Sequence, residues 1–202
     1  AALRATTAAA MLATEPVRPT LLGLITSLIF GLLSGLERLV NGPAVVPAGS
    51  TVTVRSSSLQ ITDSMTVPVD WYFPTGGEPP QRLILLQHGF LAIGPMYSYT
   101  AARLAERTHS IVLTPTLNSN SLADGGLWLG GTQMHAAVAA LFTGDRAALT
   151  ASAIAAGFTG TALPTKFGLT GHSLGGALVS GVAGYLAGAD AAADLVGVIL
   201  LD

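Results

Sequence analysis

The sequence predicts an α/β protein in which a mostly parallel sheet, entered through antiparallel first strands, carries helices on both faces. Short continuous apolar runs at 83–86, 111–113, 167–170 and 195–201 read as strands buried on both sides. Helical patterns at 97–107, 133–142, 146–156 and 174–186 separate them, and strands alternating with helices give a parallel sheet. Half of the 202 residues are hydrophobic and 10% are charged. That is well under the usual charged share of about a quarter, so most of the chain must be buried in sheet, helix or lipid.

Residues 1–20 are rich in Ala and Thr, with Pro16 and Pro19, and read as a low-complexity linker. Residues 21–36 carry no charge, and Gly23, Ser27, Gly31 and Gly35 recur every fourth place, one stripe on a helix. Leu22, Ile25, Ile29, Leu32, Leu33 and Leu36 cover much of the rest. A signal-peptide core fits poorly because Glu37 and Arg38 follow at once. The uncharged stretch also falls short of the roughly 20 residues a membrane span needs, which favours a helix packed on the domain or on a membrane surface. Residues 21–40 thus offer a surface for membrane or cell-envelope association if they do not pack on the domain, and residues 21–49 read as an apolar helix and linker. Asn41-Gly42-Pro43 and Pro47-Ala48-Gly49 end the helix. The alternating segments 51–55 and 67–73 then read as an antiparallel pair at a sheet edge, where Pro68 is tolerated. Residues 50–202 form the α/β unit. The chain begins at Ala1 rather than Met and stops just after an apolar run, so both ends read as cuts.

Nine Lys and Arg against 11 Asp and Glu, with no basic run, exclude an electrostatic nucleic-acid binder. The absence of cysteine removes disulfides, thiolate zinc sites and a Cys nucleophile. No His and carboxylate cluster has metal-ligand spacing and no Gly-rich phosphate loop occurs, so no metal or cofactor is expected.

Gly171-His172-Ser173-Leu174-Gly175 fits Gly-x-Ser-x-Gly, in which a strand turns sharply into a helix and presents Ser Oγ above the sheet. The pattern alone is weak, but here a short buried strand precedes Ser173 and an apolar helix follows. The strand ending at Gln87 likewise runs into His88-Gly89-Phe90, where an oxyanion-hole loop would sit.

With these two features in place, residues 51–202 resemble the α/β-hydrolase superfamily, and Gly-His-Ser-Leu-Gly-Gly with His-Gly-Phe resembles its lipase and esterase members. In texture, including Val69-Asp70-Trp71-Tyr72-Phe73-Pro74, the chain is similar to actinobacterial exported hydrolases in which a linker and an apolar helix precede the domain. The resemblance implies Ser173 as nucleophile, backbone N–H groups of Phe90 and Leu174 as oxyanion donors, and an exported or cell-envelope location.

In this superfamily the chain order is Ser, acid, His, and no His follows Ser173. His109 precedes its strand, His135 falls on a helix, and His172 points away from Oγ. His88 stands at the right edge but is normally a loop-bracing residue. The remaining strands and the catalytic His are expected beyond residue 202, and the 202-residue chain is expected to be inactive. Asp190 and Asp194 precede the last strand. Asp202 ends it at the same edge as Ser173 and is either the triad acid or a strand cap. Tyr97 and Tyr99 line a cleft or belong to the core, Trp128 sits in a lid or a surface loop, and Asp145 reads as a helix N-cap. The expected activity is hydrolysis of carboxylic esters, small-molecule or lipid. Phe90, Leu91, Ile93 and Met96 suggest an apolar acyl group. The alternatives are an acyltransferase on the same scaffold and a non-catalytic, hydrolase-like binding protein.

Overall fold

A computed structural model describes residues 20–202, and the linker expected at 1–20 lies outside it except for Thr20. Helix α1 (Leu21–Asn41) starts where the Thr20 hydroxyl accepts the Gly23 N–H at 3.0 Å, and it stops at Gly42, whose φ is 70°. The helix is inverted relative to an ordinary surface helix. Gly23, Thr26, Phe30, Ser34 and Arg38, at helical spacing, are its sheltered side, while Leu21, Leu24, Leu28, Leu32 and Leu39 are exposed. Hydrogen bonds set this rotation. Asn120 Nδ2–H donates to Thr26 Oγ1 at 3.0 Å, and Arg38 Nη2–H donates to Thr116 Oγ1 at 3.3 Å. The small-residue stripe does not form the contact: Gly23 is buried, but a Cβ at Gly31 or Gly35 would meet open space.

Six strands follow in the order β1-β2-β4-β3-β5-β6. The first two, β1 (Val52–Thr62) and β2 (Met65–Pro74), form an antiparallel hairpin, and β2 pairs antiparallel with β4 (Ile111–Pro115). The others, β3 (Arg82–Gln87), β5 (Lys166–His172) and β6 (Leu195–Leu201), are parallel to β4 and to one another. The first hairpin is longer than its apolar alternation suggests. In β1, Ser56 donates its hydroxyl to Asp70 Oδ1 at 2.6 Å and Ser57 donates to the Ser152 carbonyl at 2.9 Å, so a polar run continues the strand. Of this hairpin only β1 is an edge strand, so Pro68 lies on an internal strand. Its carbonyl accepts the Thr116 N–H at 2.9 Å, just past the end of β4, so its missing donor leaves the ladder intact.

Alternation along the strands fills two cores. Leu83, Leu85, Ile111, Leu113, Phe167 and Leu169 point to one, closed by α3 (Thr132–Ala140), α4 (Ala147–Ala155) and α5 (Leu174–Leu186). Tyr72, Leu86 and Val112 point to the other, closed by Ala101, Ala102 and Ala105 of α2 (Ser98–Thr108). Helices therefore do cover both faces. Asp145 is not the N-cap of α4. Arg146 takes that place with φ 54°, and Asp145 accepts the Ala147 N–H at 3.1 Å from one residue further out. The Gly-rich segment around Trp128 is pinned by the buried Leu129, whose N–H donates to the Asn118 carbonyl at 2.7 Å.

Candidate active site

The parallel strands β3, β4, β5 and β6 end at one edge of the sheet, so His88, Thr116, Ser173 and Asp202 gather there. At this edge β5 turns into α5 through Ser173, whose φ of 52° and ψ of −121° lie where non-glycine residues are rarely found. Its surroundings hold it there. Ser173 N–H donates to the Leu201 carbonyl at 2.9 Å, and its own carbonyl accepts the Gly176 N–H at 2.8 Å. The two motif glycines let strand and helix close on each other. A Cβ at Gly171 would overlap the Gly175 carbonyl, and one at Gly175 would lie 2.5 Å from the Gln87 carbonyl oxygen. The result is an exposed hydroxyl that makes no hydrogen bond among the described residues, standing at a helix N-terminus.

The loop after β3 lies directly against this turn. A Cβ at Gly89 would sit 3.3 Å from Ser173 Cβ and 3.1 Å from His172 Nδ1, so a larger residue there would push the two segments a few tenths of an ångström apart. From Gly89 to Ala92 every backbone N–H but one has an acceptor among the described residues. Gly89 donates to Tyr97 Oη at 3.2 Å, Leu91 to Ser119 Oγ at 2.9 Å and Ala92 to the Gly89 carbonyl at 3.2 Å. The exception is Phe90. Across the gap the first N–H of α5, at Leu174, is free as well. Two unpaired donors thus flank the serine, one from each loop.

His88 has both ring nitrogens engaged at this loop. Its Nδ1–H donates to the Gly89 carbonyl at 2.7 Å, and its Nε2 accepts the Leu117 N–H at 2.9 Å. Because the Gly89 carbonyl and the Phe90 N–H belong to one trans peptide, fixing the first aims the second the opposite way. Burial pushes the pKa of His88 down to about 4, so the ring stays neutral with both nitrogens engaged. His109 lies at the other edge, its Nε2 on the Glu78 carbonyl. His135, on α3, faces the Leu129 carbonyl at 3.3 Å and is lowered in pKa by desolvation. His172 turns away from Ser173, with Nδ1 2.8 Å from Tyr97 Oη. Asp202 follows β6 beside the serine strand, exposed and without a side-chain partner among the described residues.

Tyr97, offered by the sequence as cleft or core, is partly buried against the α2-side core. It links the two loops. Tyr99 is exposed. Ser119, which holds Leu91, carried no signal in the sequence. Among the described residues no group of three or more His, Asp or Glu could hold a metal ion. The clefts of about 490 and 420 Å³ share Asp145 and Arg146, and the second reaches Asp194 at the N-terminal edge of the sheet, away from Ser173. Ser173 is exposed, as are the side chains of Phe90, Leu91 and Met96 in the loop after β3 and the turn that follows it.

No protein-family model matches the chain, and no curated protein matches it by sequence. Solved structures do match in shape. The thermostable carboxylesterase EstE1, cloned from a metagenomic library, superimposes with a TM-score of 0.58 at 15% identity, over 87% of this chain and 54% of that one. Esterase LipW from Mycobacterium marinum gives a TM-score of 0.55 at 16% identity, over 94% of this chain and 55% of the other. Vibralactone cyclase gives 0.58 at 15% identity, over 96% and 55%. The chain spans about half the length of the solved structures it matches.

Proposed function

From the α/β-hydrolase fold that this chain has, we propose that the protein is a serine hydrolase of carboxylic esters, in which Ser173 Oγ attacks the ester carbonyl. The observation that supports this best is the pair of unpaired amides, Phe90 and Leu174, on either side of the strained serine. They receive the oxyanion as the tetrahedral intermediate forms, already in position and with little reorganisation. The serine proton passes to a base, the alkoxide leaves with that proton, and water then releases the acid from the acyl-enzyme. None of the four histidines described above reaches Ser173 as that base, so the base is assigned to a histidine beyond residue 202. Asp202 is its acid partner, and residues 1–202 alone are inactive. Loop residues Phe90, Leu91 and Met96 fit an apolar acyl chain, from a small-molecule or lipid ester. The outward apolar side of α1 fits association with a membrane or cell envelope, in an exported protein.

The test is hydrolysis of p-nitrophenyl esters by the full-length protein and its Ser173→Ala variant. Loss of activity in the variant by a factor of about 10³ or more is expected, and undiminished turnover would refute the assignment.

A further inference from the structure

The Phe90 amide is aimed by its own loop, and its distance from Leu174, which belongs to a different segment, depends on the contacts between the two segments. One side chain spans the two. Tyr97 closes the short helical turn Gly94–Tyr97, packs against the α2-side core, and brings its hydroxyl to both Gly89 and His172. Gly89 N–H donates to Tyr97 Oη at 3.2 Å, and a second hydrogen bond of 2.8 Å joins the same oxygen to His172 Nδ1. The Tyr97 and His172 rings also pack together, with centroids 5.8 Å apart and planes tilted by 50°. In sequence Gly89 adjoins Phe90, and His172 adjoins Ser173 and so the elbow that carries Leu174. The bond chain therefore runs from one half of the oxyanion site to the other.

We propose that Tyr97 and His172 are positioning residues that latch the Gly89–Phe90 loop to the Ser173 elbow, keeping the two oxyanion donors at a fixed spacing. This rests on the serine-hydrolase reading of the site, and it assigns Tyr97 and His172 no contact with substrate. A latch of this kind acts on the intermediate and not on the bound ester. Its loss lowers kcat and leaves KM nearly unchanged.

The experiment uses the full-length protein and its Tyr97→Phe, His172→Leu and His172→Asn variants, with the double variant Tyr97→Phe/His172→Leu. Tyr97→Phe keeps the ring and its packing while removing the hydroxyl. Asn at 172 keeps an acceptor near the place of Nδ1. Tyr97→Phe and His172→Leu are each expected to lower kcat roughly tenfold to hundredfold, less than the loss of a whole donor, with KM within about threefold. The double variant should be no worse than the more affected single one, because both break the same chain. His172→Asn should recover most of the rate. Affinity for an alkyl trifluoromethyl ketone, which mimics the tetrahedral adduct, should fall in step with kcat/KM. Parent-like kcat in Tyr97→Phe, multiplying effects in the double variant, or equal losses in the Leu and Asn variants would each overturn the latch. Such results leave Ser173 as nucleophile, whereas undiminished turnover in Ser173→Ala removes the site itself.

Discussion

Two glycines of the same helix separate what the elbow needs from what a helix merely tolerates. At Gly175 a Cβ would come to 2.5 Å from the Gln87 carbonyl oxygen, whereas ordinary contact begins at 3.4 Å. Gly175→Ala must therefore open α5 from the end of β3 by about 1 Å at that point, and the atoms in the way, the Gln87 and His88 carbonyls, are backbone, which cannot swing aside. Overpacking of this kind costs about 1–3 kcal/mol. A chain of this size loses about 2–4 °C per kcal/mol, which puts the fall in melting temperature at roughly 2–12 °C. The same displacement separates Leu174 from Phe90, and a shift near 1 Å in a reacting geometry lowers the rate about 10²-fold. Nine residues on, Gly184 is exposed and a Cβ there meets nothing within 4 Å. Gly184→Ala should gain up to about 1 kcal/mol of helix propensity and raise the melting temperature by a few degrees with kcat unchanged. Circular dichroism melts and ester turnover of the two full-length variants read both effects. A Gly175→Ala protein as stable and active as its Gly184→Ala counterpart would refute the idea that close strand-to-helix contact holds the serine.

Removing α1, with the chain starting near Val45, should move the melting temperature by no more than a few degrees, because α1 buries Gly23 alone and is tied mainly through Asn120 and Arg38. A larger fall would show that α1 belongs to the core. Acidification should destabilise the protein through His88. With its ordinary value of 6.5 lowered to about 4 in the fold, the unfolded chain takes up a proton first, so stability is lost as pH falls from 6.5 towards 4, by up to about 3 kcal/mol. Asp70, raised in pKa mainly by desolvation, works the other way. Melts between pH 7 and 4.5 should therefore be steeper for the parent than for His88→Gln, which keeps a donor and an acceptor but does not titrate. Parallel curves would contradict a buried neutral His88. Asp202→Asn in the full-length protein should lower kcat at least roughly a thousandfold with little change in melting temperature. A near-normal kcat would place the acid on a later strand.

The parallel strands were legible because doubly buried strands are written as unbroken apolar runs, and the elbow because its glycines are required by contacts within a few residues. The first hairpin was read short because Ser56 and Ser57 satisfy themselves through Asp70 and Ser152, partners 14 and 95 residues away. Which side α1 turns to the domain was not legible for a related reason, since Thr26 and Arg38 bond Asn120 and Thr116, 94 and 78 residues on. In the site, Ser173, Phe90 and Leu174 came from local motifs, whereas the link from Tyr97 to His172 spans 75 residues and leaves no periodic trace.

The central claim is that Ser173 is a nucleophile served by the Phe90 and Leu174 amides. Its most direct measurement is peptide mass spectrometry of the full-length protein after treatment with an alkyl p-nitrophenyl phosphonate, whose phosphonyl oxygen occupies the oxyanion position once the serine has attacked. The account predicts a single phosphonyl adduct on the peptide containing Ser173, with loss of esterase activity in proportion to labelling and no adduct in Ser173→Ala. Ester turnover that survives complete labelling, or an adduct on another residue that alone tracks the loss of activity, would contradict it.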